Sequence, residues 1–275
     1  MSLTWLIERG VYKDYESELY AETRRQSIEC HFVDYRPGKS PPNDIAGFNG
    51  LGSDIVFIGS HPMTHQIQRH RNWNPGGWCN FDNLKCSTYY KHFGPFMLNS
   101  PFRTLTGVDA LQRQADLFDE FGVDDEIFVR PNGVEKLFPG AVVHVDNFPQ
   151  AISSTRFDPA TQIVVASPVE IEREWRAVIA GDSAIAVSQY RDSGAIAMMP
   201  GCPAIVNEFC QQVLSDVQWR PDPIFVMDVC ESNDGLHVLE LNSFSCSGLY
   251  RCDLATIVRV ATRMANGNPA PKNAG

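Results

Sequence analysis

The chain has 275 residues, of which 43% are hydrophobic, so it is long enough to bury a large core as one domain or as two to three lobes. Its formal net charge of −10, with no long basic run, disfavours sequence-nonspecific binding of nucleic acid. No apolar stretch approaches the roughly 18 residues that a membrane-spanning helix needs. The first residues lack the basic and long apolar regions of a signal peptide, so the sequence predicts a cytoplasmic protein.

The first hundred residues alternate between short apolar runs and segments of helix-forming residues, which is typical of a parallel α/β sheet. The predicted strands are Thr4–Ile7, Glu29–Val33 and Asp54–Gly59, the predicted helix is Tyr15–Ser27, and the predicted loops are Pro37–Pro42 and Asn72–Asn80. No glycine fingerprint for a dinucleotide follows any of these strands, which disfavours a nicotinamide cofactor.

The second part of the chain begins with an amphipathic helix, predicted over Leu105–Phe121 and ended by Gly122. The other predicted elements are strands Glu126–Arg130 and Gln162–Ala166, a hairpin of Trp175–Ala180 and Ser183–Gln189, and helices Pro203–Val217 and Leu249–Met264. The tail from Asn266 to Gly275 is rich in Asn, Pro, Gly and Ala, and is predicted to be disordered.

Eight cysteines are spread through the chain without any CxxC pair. Because the sequence shows no secretion signal, this spacing predicts reduced thiols rather than structural disulfides. Histidines and cysteines do cluster between His61 and His92, which leaves a zinc-dependent protein as an alternative. Their spacings match no common zinc finger, so we expect no structural metal there.

Two apolar runs near the C-terminus, Ile224–Val229 and Leu236–Asn242, flank an Asp-Gly turn and predict a β-hairpin. The hairpin would bring Asp228 close to Glu240 and Asn242, and the last two project from the same face of their strand. Two carboxylates and an amide oxygen suit Mg²⁺, which usually completes its octahedron with nucleotide phosphates. The hairpin therefore points to an ATP site without a Walker motif, although acidic strand ends also occur without any function.

Further polar blocks precede this hairpin. Arg130 ends a predicted strand and Lys136 follows in a Gly-containing loop, an arrangement that suits phosphate oxygens. The backbone of Val164–Val169 suits the edge of an adenine. The last two blocks, Glu174–Arg176 and Ser188–Arg191, lie on the two strands of the predicted hairpin.

Taken in this order, the blocks resemble the ATP-grasp superfamily, and most closely its small branch in which arginine replaces the first nucleotide-binding lysine. The matching segments are Phe128–Pro131, Lys136–Gly140, Ser167–Pro168, Glu174–Arg176, Ser188–Tyr190, Asp228 and Glu240–Asn242. The resemblance covers roughly residues 100–265. It implies an α/β and α+β fold, with an N-terminal α/β domain over 1–100 that precedes a two-lobed ATP-grasp domain over 101–265, hinged near 166–170.

The resemblance also implies ATP and Mg²⁺, or Mn²⁺, as cofactors. In the nucleotide site, the implied phosphate ligands are Arg130 and Lys136, the adenine contacts are Ser167, Pro168 and Val169, the ribose contact is Glu174 with Glu172 as second choice, and the metal ligands are Asp228, Glu240 and Asn242. The implied catalytic residues are Arg176, Arg191, Gln189 and Tyr190. For the last two, packing as ordinary strand residues stays open as an alternative.

The implied reaction is ATP-dependent ligation of a carboxylate to an amine. Transfer of the γ-phosphoryl group would give an acyl-phosphate, which the amine then attacks. The acid and the amine would be small molecules or peptides, and peptide or protein tagging is one option. A kinase on the same fold and a nucleotide-binding module without turnover stay open, although the intact acidic trio argues against the second.

Overall fold

The computed structural model describes residues 3–35, 51–135, 137–153, 158 and 160–270. Within these ranges the chain forms three β-sheets with helices packed against them. The strands are β1 (Thr4–Glu8), β2 (Glu29–Val33), β3 (Asp54–Ile58), β4 (Asn74–Gly76), β5 (Phe102–Thr106), β6 (Glu126–Pro131), β7 (Ala141–His144), β8 (Gln162–Ala166), β9 (Arg173–Ala180), β10 (Ser183–Asp192), β11 (Ala195–Pro200), β12 (Ile224–Ser232) and β13 (Gly235–Ser243). The α-helices are α1 (Glu16–Arg25), α2 (His61–His70), α3 (Cys86–Phe93), α4 (Gly107–Gln112), α5 (Gln114–Phe121), α6 (Phe148–Ile152), α7 (Ala204–Asp216) and α8 (Leu254–Ala265). None of these helices combines the length and the apolar character that crossing a membrane requires.

The N-terminal sheet has the strand order β2-β1-β3-β4 and is parallel throughout. All five residues of β1 are buried because both faces of the sheet are covered. On one face Trp5 and Ile7 pack in a cluster with residues of α8, and on the other face Leu6 packs in a cluster with residues of α2. The α/β prediction for this part of the chain is confirmed.

Two N-terminal segments differ from the sequence predictions. The segment Asn72–Asn80, predicted as a loop, contributes β4, whose Pro75 is tolerated because an edge strand leaves one side unpaired. The unpredicted helix α2 begins after Ser60, whose hydroxyl accepts a hydrogen bond from the backbone N–H of Met63 at 3.4 Å. The predicted loop over Pro37–Pro42 lies outside the described residues.

The middle sheet is antiparallel, with the order β5-β8-β6-β7. The single helix predicted over Leu105–Phe121 is wrong: the segment begins as β5, and the helix breaks at Arg113 into α4 and α5. Thr106 caps α4 by accepting from the Asp109 N–H at 3.1 Å, which fixes the start of that helix. The break changes the buried face, so that Leu117 is buried whereas the predicted core residue Ala115 is exposed.

The third sheet is antiparallel and has five strands in the order β11-β10-β9-β12-β13. The predicted hairpin at Gly181-Asp182 forms between β9 and β10, and Gly181 adopts the positive φ of 58° that this turn needs. The predicted hairpin between β12 and β13 also forms. This sheet carries most of the residues that the sequence assigned to a nucleotide site.

The N-terminal and third sheets share a hydrophobic core. One cluster combines Trp5 of β1, Val178 of β9 and Ile257 of α8. The helix predicted over Leu249–Met264 begins later, at Leu254, because Asp253 caps it by accepting from the Ala255 N–H at 3.0 Å. The division of the chain into domains at residue 100, with a hinge near 166–170, stays a prediction.

The tail predicted to be disordered from Asn266 is described only as far as residue 270. In this part, the backbone N–H of Gly267 donates to the Met264 carbonyl at 2.9 Å, and Ala270 packs against the core cluster around α8. Residues 271–275 lie outside the described part of the chain.

Candidate active site

The third sheet aligns four polar residues in one row across neighbouring strands. Arg176 of β9 lies opposite Asp228 of β12, which in turn lies opposite Glu240 of β13. On the other side of β9, Ser188 of β10 lies opposite Arg176. Residues that lie opposite each other on antiparallel strands project from the same face, so the row brings two carboxylates and an arginine together.

Arg176 and Asp228 form a buried, two-pronged ion pair. The Arg176 Nε donates to Asp228 Oδ1 at 2.8 Å, and Nη2 donates to Oδ2 at 2.7 Å. The third nitrogen, Nη1, donates to the Gly248 carbonyl at 2.8 Å. Only 6% of Arg176 and 0% of Asp228 is exposed to solvent. Burial alone would lower the pKa of Arg176, but the charge of Asp228 outweighs it and raises the pKa well above its usual value.

Glu240 forms a second ion pair, with Arg130 at the end of β6. The Arg130 Nη2 donates to Glu240 Oε2 at 2.6 Å, so the middle and third sheets meet through this contact. The side-chain nitrogen of Asn242 lies 2.9 Å from Glu240 Oε1 and 3.2 Å from Asp228 Oδ2. The structure therefore brings the three predicted metal ligands together, each within reach of an arginine or of another member of the trio.

A cavity of about 410 Å³ opens over this row of residues. Its described wall consists of Phe128, Arg130, Pro131, Phe138, Pro139, Gly140, Ile171, Glu174, Arg176, Tyr190, Arg191, Asp228, Leu239, Glu240 and Tyr250. The predicted site residues among these are Arg130, Glu174, Arg176, Tyr190, Arg191, Asp228 and Glu240. The cavity therefore combines a set of charged groups with the apolar surface of the Phe138–Gly140 loop.

Other predicted residues have different positions. Ser167, Pro168 and Val169 connect β8 to β9 but are not part of the described wall of the cavity, to which that connection contributes Ile171. Gln189 is buried and its amide donates to the backbone carbonyl of Arg191 at 3.3 Å, in agreement with the alternative of strand packing. Lys136 lies outside the described residues.

Glu174 is held by two neighbours on β10. The hydroxyl of Tyr190 donates a short hydrogen bond to Glu174, and the Arg191 Nε lies 3.7 Å from the other Glu174 oxygen. Burial and the nearby negative charges of Asp228 and Glu174 raise the pKa of Tyr190, so its hydroxyl keeps its proton and acts as a donor. Tyr190 also stacks on Tyr250, with the ring centroids 4.8 Å apart.

Tyr250 is a wall residue that the sequence analysis missed. The Arg176 guanidinium lies 4.7 Å from the centroid of its ring, a cation–π distance, and Tyr250 has a positive φ of 48°. A positive φ in a tyrosine is strained and is often found at functional sites. The only sequence signal was its place in the Ser-Gly-Leu-Tyr-Arg segment that follows the Glu240–Asn242 pair.

A second cavity, of about 690 Å³, adjoins the first, with Tyr250 in the walls of both. Its wall is formed by the loop after β1, from Gly10 to Tyr15, together with Met198, Gly248 and Arg251. The positive charges of Lys13 and Arg251 outnumber the negative charge of Asp14 in this wall. Sequence reasoning missed this cavity because its two halves come from opposite ends of the chain.

The donor set fits a divalent metal ion. A carboxylate has about four lone-pair positions, so Asp228 can accept from Arg176 and still ligate a cation. The Asn242 amide now presents its nitrogen to the carboxylates, and half a turn of the amide would present its oxygen instead. Hard oxygen ligands of this kind suit Mg²⁺ and Mn²⁺.

Solved structures of ATP-grasp ligases share this fold. The D-cycloserine synthetase DcsG superimposes with a TM-score of 0.67 at 10% identity, over 96% of this chain and 100% of that chain. The D-alanine–D-alanine ligase of Bacillus anthracis gives 0.59 at 12% identity, over 95% and 93%. A RimK domain ATP-grasp protein of Sphaerobacter thermophilus DSM 20745 gives 0.58 at 15% identity, over 96% and 95%. These identities show a common fold and no more.

The sequence gives a family assignment of its own. No protein with a curated description matches it at a significant level. A model of an ATP-grasp domain, family 2 of the clade with arginine in place of lysine, matches residues 112–260, which is more than half of the chain. That match spans every predicted site residue from Arg130 to Asn242. The resemblance and the two-lobed fold inferred from the sequence are therefore confirmed, and the chain belongs to this ATP-grasp family.

Proposed function

We propose that the chain is an ATP-dependent carboxylate–amine ligase that forms an amide through an acyl-phosphate, with Mg²⁺ or Mn²⁺ bound by Asp228, Glu240 and Asn242. The observation that carries this proposal is the buried row of Arg176, Asp228 and Glu240 beneath the cavity, in a chain of the ATP-grasp family. The bound metal ion would neutralise the phosphate oxygens of ATP. The residues around it then account for the rest of the chemistry.

The two ion pairs suit an exchange of partners when the nucleotide binds. In the structure, Arg130 neutralises Glu240 and Arg176 neutralises Asp228. Phosphate oxygens compete for the same guanidinium groups, and a divalent cation competes for the same carboxylates. The exchange leaves no charge without a partner, so it avoids the cost of an isolated buried charge. Arg176, next to the second cavity, would then stabilise the negative charge of the acyl-phosphate as it forms.

Direct transfer to the substrate agrees with the composition of the site. The described wall of the nucleotide cavity contains no serine, cysteine or histidine that could be phosphorylated. Its carboxylates already accept hydrogen bonds from Arg130, Arg176 and Tyr190. The γ-phosphoryl group would therefore pass straight to the substrate carboxylate, with Arg191 as a second cation near the reacting groups.

We assign the second cavity to the substrates. Lys13 and Arg251 suit an acid, and Tyr250 connects the cavity to the nucleotide site. Its volume accommodates a small molecule or the end of a peptide, so a free peptide and a tagged protein are both proposed products. Glu174 stays our proposal for the ribose contact, Lys136 for a phosphate contact, and the 167–169 segment for adenine.

The reaction is tested by incubating the protein with ATP, Mg²⁺ and panels of acids and amines, and by measuring ADP. With the right acid, hydroxylamine should trap the acyl-phosphate as a hydroxamate, and ¹⁸O from the carboxylate should appear in the released phosphate. A stable phosphorylated product with no transfer of ¹⁸O would identify a kinase. ATP binding without ADP release for any panel member would favour a nucleotide-binding module. A cytoplasmic location, which the unpaired spacing of the cysteines supports, is proposed as well.

The phosphate assignment has its own test and a matched control. Arg130→Ala should weaken ATP binding by at least about tenfold, because a buried guanidinium next to the cavity is lost. Arg113→Ala removes an exposed arginine whose nearest acidic partner is Asp116 at 3.6 Å, and it should leave the ATP affinity unchanged. Equal affinities of the two variants in isothermal titration calorimetry would refute the assignment.

A further inference from the structure

Three metal-ligating side chains from distant parts of the sequence meet outside the nucleotide site. They are His61 at the start of α2, Cys79 in the loop after β4, and Cys246 in the turn that follows β13. One ligand atom of each lies within 4.8 Å of those of the other two. Of the histidine and cysteine cluster between residues 61 and 92, only His61 and Cys79 take part, and the third ligand comes from the far end of the chain.

Backbone hydrogen bonds hold these segments together independently of any ion. The N–H of Gly59 donates to the Ser245 carbonyl at 2.8 Å, and the N–H of Trp78 donates to the Ser245 hydroxyl at 2.9 Å. The Ser243 hydroxyl in turn donates to the Trp78 carbonyl at 3.0 Å. A Cβ at Gly77 would lie 2.9 Å from Thr64, so glycine is what allows the loop to approach α2. The three ligands are therefore preorganised.

The ligand set suits a soft or borderline cation. Zinc binds thiolate sulfur at about 2.3 Å and imidazole nitrogen at about 2.0–2.1 Å, so tetrahedral ligand atoms lie about 3.5–3.8 Å apart. That separation falls within the observed limit of 4.8 Å. Burial raises the pKa of the Cys246 thiol, but interactions with the side chains of Cys79, Thr64 and Ser243 outweigh it and lower the pKa. The contact between the two sulfurs raises the pKa of Cys79, so Cys246 is the thiol that loses its proton first and begins the binding of a metal.

We propose that His61, Cys79 and Cys246 bind one Zn²⁺, with water as the fourth ligand. Binding would convert the two thiols to thiolates and release their two protons to solvent. The ion would connect the N-terminal sheet to the turn after β13, the strand that bears Glu240 and Asn242. This site is separate from the oxygen-rich nucleotide site, and its existence does not depend on the proposed ligase activity.

The test uses the full chain, purified without added chelator, and Co²⁺ as a spectroscopic probe. Zinc should be present at one equivalent per chain by mass spectrometry. After zinc is removed, Co²⁺ should give the visible bands of a tetrahedral site and a thiolate-to-cobalt charge-transfer band. An oxygen-only site such as Asp228 and Glu240 cannot produce that charge-transfer band, so the spectrum distinguishes the two sites.

Cysteine variants supply the comparison. Cys246→Ser and Cys79→Ser should each lower zinc affinity by more than about 100-fold, beyond the effect of losing an outer-shell partner. Cys202→Ser removes a half-buried cysteine outside the cluster and should leave the affinity unchanged. Absence of the charge-transfer band in the wild-type protein would overturn the proposal even if a variant failed to fold. A disulfide between Cys79 and Cys246 in protein purified under nitrogen would also overturn it.

Discussion

The buried pair of Arg176 and Asp228 is the residue-scale feature on which both stability and function depend. Two charges that are almost fully removed from water cost free energy unless they neutralise each other. Here the guanidinium satisfies both carboxylate oxygens and a backbone carbonyl, so the pair carries no unsatisfied charge. Substitutions at either residue therefore change the fold as well as the chemistry, and the two effects must be measured separately.

Arg176→Ala should lower the free energy of unfolding by about 3–5 kcal/mol, because it leaves Asp228 buried without a partner. Urea denaturation measures this loss. The matched control is Arg173→Ala on the same strand, whose ion pair with Glu231 is partly exposed and should contribute less than about 1 kcal/mol. Similar losses for the two variants would contradict the assigned burial of the Arg176 pair.

Asp228→Asn tests the chemistry of the same pair with less damage to the fold than Asp228→Ala. The amide keeps the shape and part of the hydrogen bonding, but it lacks the charge that holds a divalent cation. Turnover should fall below detection while the circular dichroism spectrum stays that of the wild type. Full turnover by folded Asp228→Asn protein, at any Mg²⁺ concentration, would rule out Asp228 as a metal ligand.

Asp222 gives the protein a pH dependence of stability. Burial raises its pKa to about 7, although the Asn80 N–H that donates to it at 2.7 Å acts in the opposite direction. Since the pKa in the unfolded chain is about 3.9, the folded chain binds a proton between about pH 4 and 7 that the unfolded chain does not. Stability should therefore fall as pH rises through this window, by at most about 1.4 kcal/mol per pH unit. Asp222→Asn should remove this part of the slope in urea titrations, and an unchanged slope would contradict it.

At the scale of elements, the sequence predicted those whose geometry depends on neighbouring residues. The hairpins β9–β10 and β12–β13 were predictable because alternating apolar residues and Gly-containing turns define them locally. The break at Arg113 was not, because the periodicity of Leu105–Phe121 continues through it and β5 is stabilised by pairing with β8. Tertiary pairing therefore overrode a clear local helix pattern.

The loop from Phe138 to Gly140 shows how one element shapes the nucleotide cavity. A Cβ at Gly140 would lie 3.0 Å from the Phe128 ring and 3.5 Å from the Arg130 Cβ, so the loop packs directly on β6. Gly140→Ala should push it outward and weaken ATP binding by about 1–2 kcal/mol, or roughly five- to thirtyfold in Kd. Calorimetric titration measures the change.

Gly94→Ala is the matched control for this substitution. Gly94 has ordinary helical dihedral angles, and a Cβ there would meet no atom within 4 Å. The ATP affinity of Gly94→Ala protein should equal that of the wild type. A Gly140→Ala variant with wild-type affinity would show that this loop does not contact the nucleotide.

At the scale of the whole molecule, the limits of the sequence become clear. The site residues on β6, β9, β12 and β13 were predictable because each belongs to a recognisable polar block. The substrate cavity was not, because Lys13 and Arg251 meet only once the N-terminal sheet docks on the third sheet. The ion pairs of Arg130 and Arg176 with the metal ligands were also missed, since strand order, not sequence spacing, puts them side by side.

The shared core predicts that the N-terminal and third sheets unfold together. Trp5 of β1 is fully buried against residues of α8, and its indole Nε1 donates to Thr262 at 3.0 Å. Trp5→Ala should therefore lower the stability of both sheets at once, by about 3–5 kcal/mol. In scanning calorimetry, the transition that includes the third sheet should shift as a single peak rather than split. A fragment over 101–275 would expose Val178 and Ile257, which the N-terminal sheet helps to bury, and should not unfold cooperatively. Two separate peaks in the full chain, or a fragment with a sharp transition of its own, would show that residue 100 is a true domain boundary and that the shared core contributes little.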